Sequence, residues 1–318
     1  MTTASTTAAD ATRLRGVVPP ILTPLTAEGE LDVPSLERLI ARQLEAGVDG
    51  LFALGSSGEV AFWDDAMREK ILETVVGTVA GQVPVLAGVI DTETHRVIAH
   101  VREAEKHAID GVVATAPFYA ITGPEEVGTH FRAIGEAASV PVWAYDIPVC
   151  VHLKLAAEQL LELAADGAIT GVKDSSGDDV SFRRLAAKNR AAGSPLTLLT
   201  GHEVVVDGAY LSGADGSVPG LGNVDPAGYV RMDRAARAGD WETVRTEQDR
   251  LAALMEIVFQ PVGKVGPAAG VGAFKTALRE LGVFSTNTMS LPMSPIEGDA
   301  VGRIRTILSE AGLLDAAR

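Results

Sequence analysis

Gly47-Val48-Asp49-Gly50-Leu51-Phe52-Ala53-Leu54-Gly55-Ser56-Ser57-Gly58-Glu59 reads as a helix exit, a strand and a polar turn in direct succession. Upstream, residues 34–46 set Leu36, Leu39, Ile40 and Leu44 on one helical face, with Pro34 favourable in the first turn. Gly47 can leave that helix through a left-handed conformation at no steric cost. Gly50–Leu54 is then short and apolar, as in parallel strands covered on both faces. The same junction recurs at Ala108-Ile109-Asp110-Gly111 and Gly213-Ala214-Asp215-Gly216.

Working outward, the strand candidates are Val17–Leu22, Gly50–Leu54, Val83–Val89, Gly111–Ala116, Val140–Ile147, Ile169–Lys173, Leu196–Thr200 and Asp215–Val218. Helical spacing fills the gaps, for example over 64–80 and 93–107. Eight such units favour an α/β fold closed as a (β/α)8 TIM barrel over an open doubly wound sheet. No dinucleotide fingerprint follows the first strand, which weighs the same way. After residue 225 the strands stop, and 226–237, 240–259, 268–282 and 297–314 read as helices. Trp241, Leu251, Leu254 and Met255 are expected to pack on the barrel. The organisation read here is a disordered tail over 1–12, barrel strands and helices over 13–225, and the last barrel helix with C-terminal helices of the same domain over 226–318.

The chain has 318 residues, 47 % of them hydrophobic, enough for a large buried core. Lys and Arg number 27 against 42 Asp and Glu, a net charge of −15. Such a field repels phosphate backbones and anionic lipid, so no nucleic-acid or membrane partner is expected. A small anionic substrate responds instead to its local pocket. Cys150 is the only cysteine, which excludes an internal disulfide and fits a reducing cytoplasm. No apolar run is long enough to span a membrane, and the Ala/Thr-rich start does not read as a signal peptide.

In such a barrel, active sites lie at the C-terminal ends of the strands. There the chain carries Gly55-Ser56-Ser57-Gly58-Glu59, Pro117-Phe118-Tyr119, Tyr145-Asp146-Ile147-Pro148, Lys173, Gly201-His202-Glu203 and Pro219-Gly220. Lys173 closes Ala168-Ile169-Thr170-Gly171-Val172-Lys173. An apolar setting disfavours an ammonium ion, and a neutral amine attacks a ketone to form a Schiff base. The Gly-Ser-Ser-Gly turn offers amides and hydroxyls suited to a carboxylate or phosphate. It matches neither the phosphate loop nor the hydrolase elbow. Tyr145 and Tyr119 offer phenols for proton transfer near Lys173. His95, His100 and His107 share a helical stretch and are expected to be exposed. His202 and Glu203 are adjacent and lack a third ligand, so no metal site is expected.

Taken together, these motifs resemble the pyruvate-dependent class I aldolase family of dihydrodipicolinate synthase and N-acetylneuraminate lyase, over residues 15 to 310. Gly55-Ser56-Ser57-Gly58-Glu59 is similar to that family's Gly-Ser/Thr-Thr-Gly-Glu, Tyr145-Asp146-Ile147-Pro148 to its Tyr-Asn-x-Pro, and Gly171-Val172-Lys173-Asp174 to its Gly-Ile/Val-Lys-Asp/Glu. The resemblance implies that Lys173 forms the Schiff base with a 2-oxo acid and that Tyr145 transfers protons. It implies that Ser56 and Ser57 bind the carboxylate, Ser56 also relaying a proton. Tyr119 would reach a neighbouring subunit's site, making a homo-oligomer, a dimer or a tetramer. Val218 would pack on the pyruvyl portion, and Ser175, Glu203 and Gly220 would touch the variable part of the substrate. No external cofactor is implied.

Two departures bear on the substrate. Where dihydrodipicolinate synthases carry an Arg for a second carboxylate, this chain has Cys150, and a neutral thiol cannot pair bidentately with a carboxylate. Asp146 stands where the family has Asn, and with Glu203 it is expected to meet substrate hydroxyls. A 2-keto-3-deoxy sugar acid aldolase is therefore the leading expectation. The alternatives are a sugar-acid dehydratase, a dihydrodipicolinate synthase or N-acetylneuraminate lyase, a hydratase-aldolase, and a non-catalytic 2-oxo acid sensor.

Overall fold

The computed structural model describes residues 14–314, so the tail expected over 1–12 lies outside the described residues. The parallel strands are β1 (Gly16–Val17), β2 (Leu51–Ala53), β3 (Val85–Gly88), β4 (Gly111–Thr115), β5 (Val142–Asp146), β6 (Gly171–Asp174), β7 (Thr197–Thr200) and β8 (Gly216–Ser217). They run in the order β1-β8-β7-β6-β5-β4-β3-β2, with helices between them. The ring closes between β1 and β2 through a parallel bridge of Pro20 to Phe52. Phe52 N donates to Pro19 O, and Ile21 N to Phe52 O. The fold is the expected TIM barrel with a C-terminal helical extension.

The expected strand Val17–Leu22 shrinks to Gly16–Val17 because Pro19 and Pro20 have no N–H to give to a ladder. The other strands fall within a residue or two of expectation. Their residues are buried throughout, as strands walled in by helices require. The helix Val33–Ala46 begins at Asp32, whose side chain accepts from Ser35 N, and ends at Gly47 with φ 80°. Both ends follow the sequence cues.

Asp49, Asp110 and Asp215 of the recurring junctions share one task. Asp49 Oδ2 accepts from Val17 N (2.9 Å), Asp110 Oδ2 from Val85 N (2.8 Å) and Asp215 Oδ2 from Leu198 N (2.9 Å). Each precedes one strand and satisfies an amide near the start of the neighbouring one. These contacts lie at the N-terminal end of the barrel, the face concerned with stability.

The C-terminal extension comprises helices Pro226–Ala238, Trp241–Met255, Gly270–Glu280 and Asp299–Glu310. Leu251 and Leu254 are buried as expected, and Met255 is partly buried against the core. Trp241 is not: it opens its helix and stays 41 % exposed, so the buried stripe begins one turn later at Val244. No helix among the described residues is long and apolar enough to cross a membrane.

Asp49→Ala removes the acceptor from Val17 N and is expected to cost about 1–2 kcal/mol, read by urea denaturation. Asp49→Asn keeps an acceptor and should retain most of that stability.

Candidate active site

β5 and β6 pair in register, Tyr145 opposite Lys173 and Asp146 opposite Asp174. Side chains alternate across a strand, so the first pair faces one side of the sheet and the second pair the other. Tyr145 and Lys173 face the barrel interior and are 3 % and 5 % exposed. Lys173 Nζ lies 3.9 Å from the centre of the Tyr145 ring and 4.9 Å from that of Phe52. No carboxylate among the described residues forms an ion pair with it. Tyr145 Oη lies 3.4 Å from Ser56 Oγ, which joins the Ser turn to the tyrosine.

The turn after β2 is anchored from several sides. Leu54 and Glu59, which flank it, both adopt left-handed conformations, with φ 56° and 58°. Gly88 makes room for this, because a Cβ there would stand 1.9 Å from Leu54 O. The Gly58 carbonyl accepts from Trp63 Nε1 (2.7 Å) and Thr23 Oγ1 (2.8 Å). Glu59, 1 % exposed, pairs with the fully buried Lys275 of helix Gly270–Glu280. It also accepts from Ser290 N (3.2 Å) and Oγ (3.0 Å), while Lys275 Nζ donates to Thr288 O (3.0 Å). Burial depresses the Lys275 pKa, and Glu59 opposes the shift.

Beyond the lysine, Glu203 Oε1 accepts from Gly220 N (2.9 Å), and desolvation raises the pKa of its carboxyl. A Cβ on Gly220 would lie 2.8 Å from Glu203 Oε1 and 3.4 Å from Ser57 Oγ, so these three groups converge. A Cβ on Gly201 would meet Ser175 Oγ at 2.1 Å and Lys173 Cε at 3.3 Å, which puts Ser175 beside the lysine. Val218, just past β8, is buried, its N–H on Thr200 O. A cavity of about 560 Å³ contains Ser56, Ser57 and Glu203, with walls that include Phe259, Val265 and Phe274. A smaller one of about 140 Å³ adjoins Ser56 and is lined by Phe62, Phe118, Ile147, Cys150 and Thr115.

Three expectations change. Asp146 does not meet the cavity: it is fully buried, accepting from Leu155 N (3.2 Å) and paired with Lys154, because it follows an inward-facing residue. His100 and His107 are not exposed; their side chains are 12 % and 13 % accessible, set against Asp91 and Glu69. Tyr119 does not reach the site of its own chain but projects, 93 % exposed, with φ 72°. His202 turns toward Asp179 (3.8 Å) while Glu203 turns to Gly220, so the adjacent pair diverges.

No sequence motif marks Thr115. It is 3 % exposed, its hydroxyl has no partner, and it stands in register with Tyr145. The available signal was a lone hydroxyl at the end of the apolar strand Gly111–Thr115.

The chain matches the dihydrodipicolinate synthetase family over residues 13–311. It belongs to that family. A 4-hydroxy-tetrahydrodipicolinate synthase from Phenylobacterium zucineum is 31 % identical over 302 residues, covering 94 % of this chain and 98 % of the relative. An uncharacterised DapA-like lyase from Halobacterium salinarum is 32 % identical, covering 95 % of both chains. Among solved structures, dihydrodipicolinate synthase from Thermotoga maritima superposes with a TM-score of 0.88 at 29 % identity, covering 95 % of this chain and 99 % of that one. The E. coli K12 prophage protein YagE, solved in complex with pyruvate, gives 0.88 at 27 % identity, covering 94 % and 99 %. Family members are class I lyases and aldolases that work through a Schiff base, and this chain is such an enzyme.

Lys275→Met leaves the Glu59 carboxylate buried without its cation and is expected to cost about 3–5 kcal/mol in chemical denaturation. Glu59→Gln combined with Lys275→Met removes both charges and should recover a large part of the loss.

Proposed function

We propose that this enzyme cleaves a 2-keto-3-deoxy sugar acid to pyruvate and an aldehyde, reversibly, through an imine on Lys173. The observation that carries the chemistry is a buried lysine with no ion-pair partner among the described residues, set against a tyrosine that is linked to the Ser turn. The Lys173 amine adds to the C2 ketone and water departs. Tyr145 takes the C4 hydroxyl proton, the C3–C4 bond breaks, and its electron pair moves into the protonated imine to give an enamine. Protonation at C3 and hydrolysis then release pyruvate. Ser56 and Ser57 hold the substrate carboxylate, and Ser56 passes the proton between Tyr145 and the bulk. Val218 packs on the pyruvyl portion.

For the tail, Glu203 and Ser175 offer acceptors, and the unpartnered hydroxyl of Thr115 offers one more bond. Cys150 at the Arg position argues against the second carboxylate of a dihydrodipicolinate synthase substrate. The outward Asp146 and the apolar walls at Phe259, Val265 and Phe274 favour a second reading, a hydratase-aldolase taking an aromatic tail. The exposed, left-handed Tyr119 supports an oligomer in which its ring enters a neighbour's site.

Borohydride reduction in the presence of pyruvate should leave a covalent adduct on the wild type and none on Lys173→Ala, read by intact mass. An adduct on the variant would reject Lys173 as the nucleophile. In a pyruvate-release assay across 2-keto-3-deoxy acids, sialic acid and aryl side-chain pyruvates, the first group should turn over fastest. Thr115→Val should lower kcat/KM for hydroxylated tails about tenfold, the worth of one hydrogen bond, and leave the pyruvate adduct unchanged.

A further inference from the structure

On the outer side of β5 and β6, back to back with Tyr145 and Lys173, lies a second in-register pair, Asp146 and Asp174. Asp146 is fully buried and Asp174 is 5 % exposed. Lys154, which follows the short helix Pro148–Val151, reaches both: it pairs closely with Asp146 Oδ2 and lies 3.4 Å from Asp174 Oδ2. The remaining carboxylate bonds bind the chain around the same point. Asp146 Oδ1 accepts from Leu155 N (3.2 Å), and Asp174 Oδ1 from Ser176 N (2.8 Å) and Oγ (2.6 Å). The β5 and β6 ends are further tied through Ser175 N to Asp146 O, and the β6 end to that of β7 through Gly201 N to Asp174 O.

The geometry points to Lys154 as a positioning residue: its ammonium clamps two adjacent carboxylates and so fixes the strand ends that carry Tyr145 and Lys173. This rests on the Schiff-base reading above and adds a residue that touches neither substrate nor reacting atoms. Two like charges on neighbouring strands repel, and without a cation between them the β5 and β6 ends would separate unless one carboxyl takes a proton. Separation shifts Tyr145 relative to Lys173, and a misplacement of about 1 Å can cost a hundredfold in rate.

The clamp is held at a cost. Burial, then the charge of Asp174, push the Asp146 pKa up to about 6, with Lys154 and Leu155 N opposing. A raised carboxyl pKa favours the folded state in its protonated form. Its contribution to stability therefore declines as pH rises from the usual 3.8 through about 6 and stays low above that. The asparagine of the family pattern would avoid the charge altogether. Of the neighbouring charges, Lys154 also acts on Asp178 before helix Asp179–Ala191, and Lys173 lies on the opposite face of the sheet.

The test compares wild type, Lys154→Met, Asp146→Asn and the double variant, using the rate of borohydride-trapped pyruvate adduct and steady-state turnover. Lys154→Met should lower kcat between about ten- and a hundredfold with KM little changed. Its relative rate should rise as pH falls from 8 to 5.5, because protonating Asp146 removes one of the two charges. Adding Asp146→Asn should restore kcat at pH 7.5, and Asp146→Asn alone should stay near wild type. A wild-type rate in Lys154→Met, or a loss that neither low pH nor Asp146→Asn relieves, overturns the proposal. If Lys154→Met does not fold, a folded and active double variant still supports the clamp, and a double variant that also fails to fold rejects it. Absence of any adduct on the wild type would instead reject the Schiff-base reading, and the clamp with it.

Discussion

The in-register pairing of β5 with β6 is the constraint on which the site depends. A single ladder sets Tyr145 beside Lys173 on the inner face and Asp146 beside Asp174 on the outer face. Because the side-chain period is two, a slip of one residue would exchange the faces. Slipping β6 would put Asp174 in the cavity and the lysine in the wall. Register here is a chemical requirement as well as a packing one. The buried apolar strands to either side, together with the Asp49, Asp110 and Asp215 bonds at the far end, hold the ladder where it is.

Two buried lysines show how surroundings assign roles. Lys275 is fully buried, paired with Glu59 and bonded to Thr288 O, so its ammonium is used up in structure. Lys173 is nearly as buried, yet it meets two aromatic rings and, among the described residues, no ion-pair partner. The nitrogen of Lys275 is committed to Glu59 and Thr288 O, whereas that of Lys173 is held by no such pair and faces the Tyr145 and Phe52 rings. Burial alone would not separate the two.

Most of the fold was legible because its signals are local. Gly47 and Pro34 mark helix ends through their own backbone geometry, and short apolar runs mark walled-in strands. The closeness of Lys173, Tyr145 and Ser56 follows from the sequence because strand ends collect on one face of a barrel. The misses have a common cause. Asp146 reads as a substrate ligand because it fills the family's Asn position beside Tyr145, whereas alternation turns successive residues apart. Nothing local foretold Lys154 bridging two strands, or Thr115 in register with Tyr145, since both depend on pairing between segments roughly thirty residues apart or on a loop's return path. His100 and His107 look exposed by helical spacing alone, and only the packing of neighbouring elements covers them.

The C-terminal helices look like an appendage in the sequence, since they follow the last strand. Glu59–Lys275 makes them part of the site. The Ser56-Ser57 turn sits between two non-glycine residues in left-handed conformations, an unfavourable arrangement that persists only where surrounding structure enforces it. Part of that enforcement comes from helix Gly270–Glu280 and from Ser290, both far along the chain, through one carboxylate. Phe274 of the same helix also walls the cavity beside Gly220 and Glu203. The extension thus shapes two sides of the cavity: it anchors the Ser turn and supplies an apolar wall through Phe274. A barrel truncated after β8 would keep Lys173 and Tyr145 but lose the anchor of the serines, so the catalytic unit is larger than the strand-bearing part of the chain.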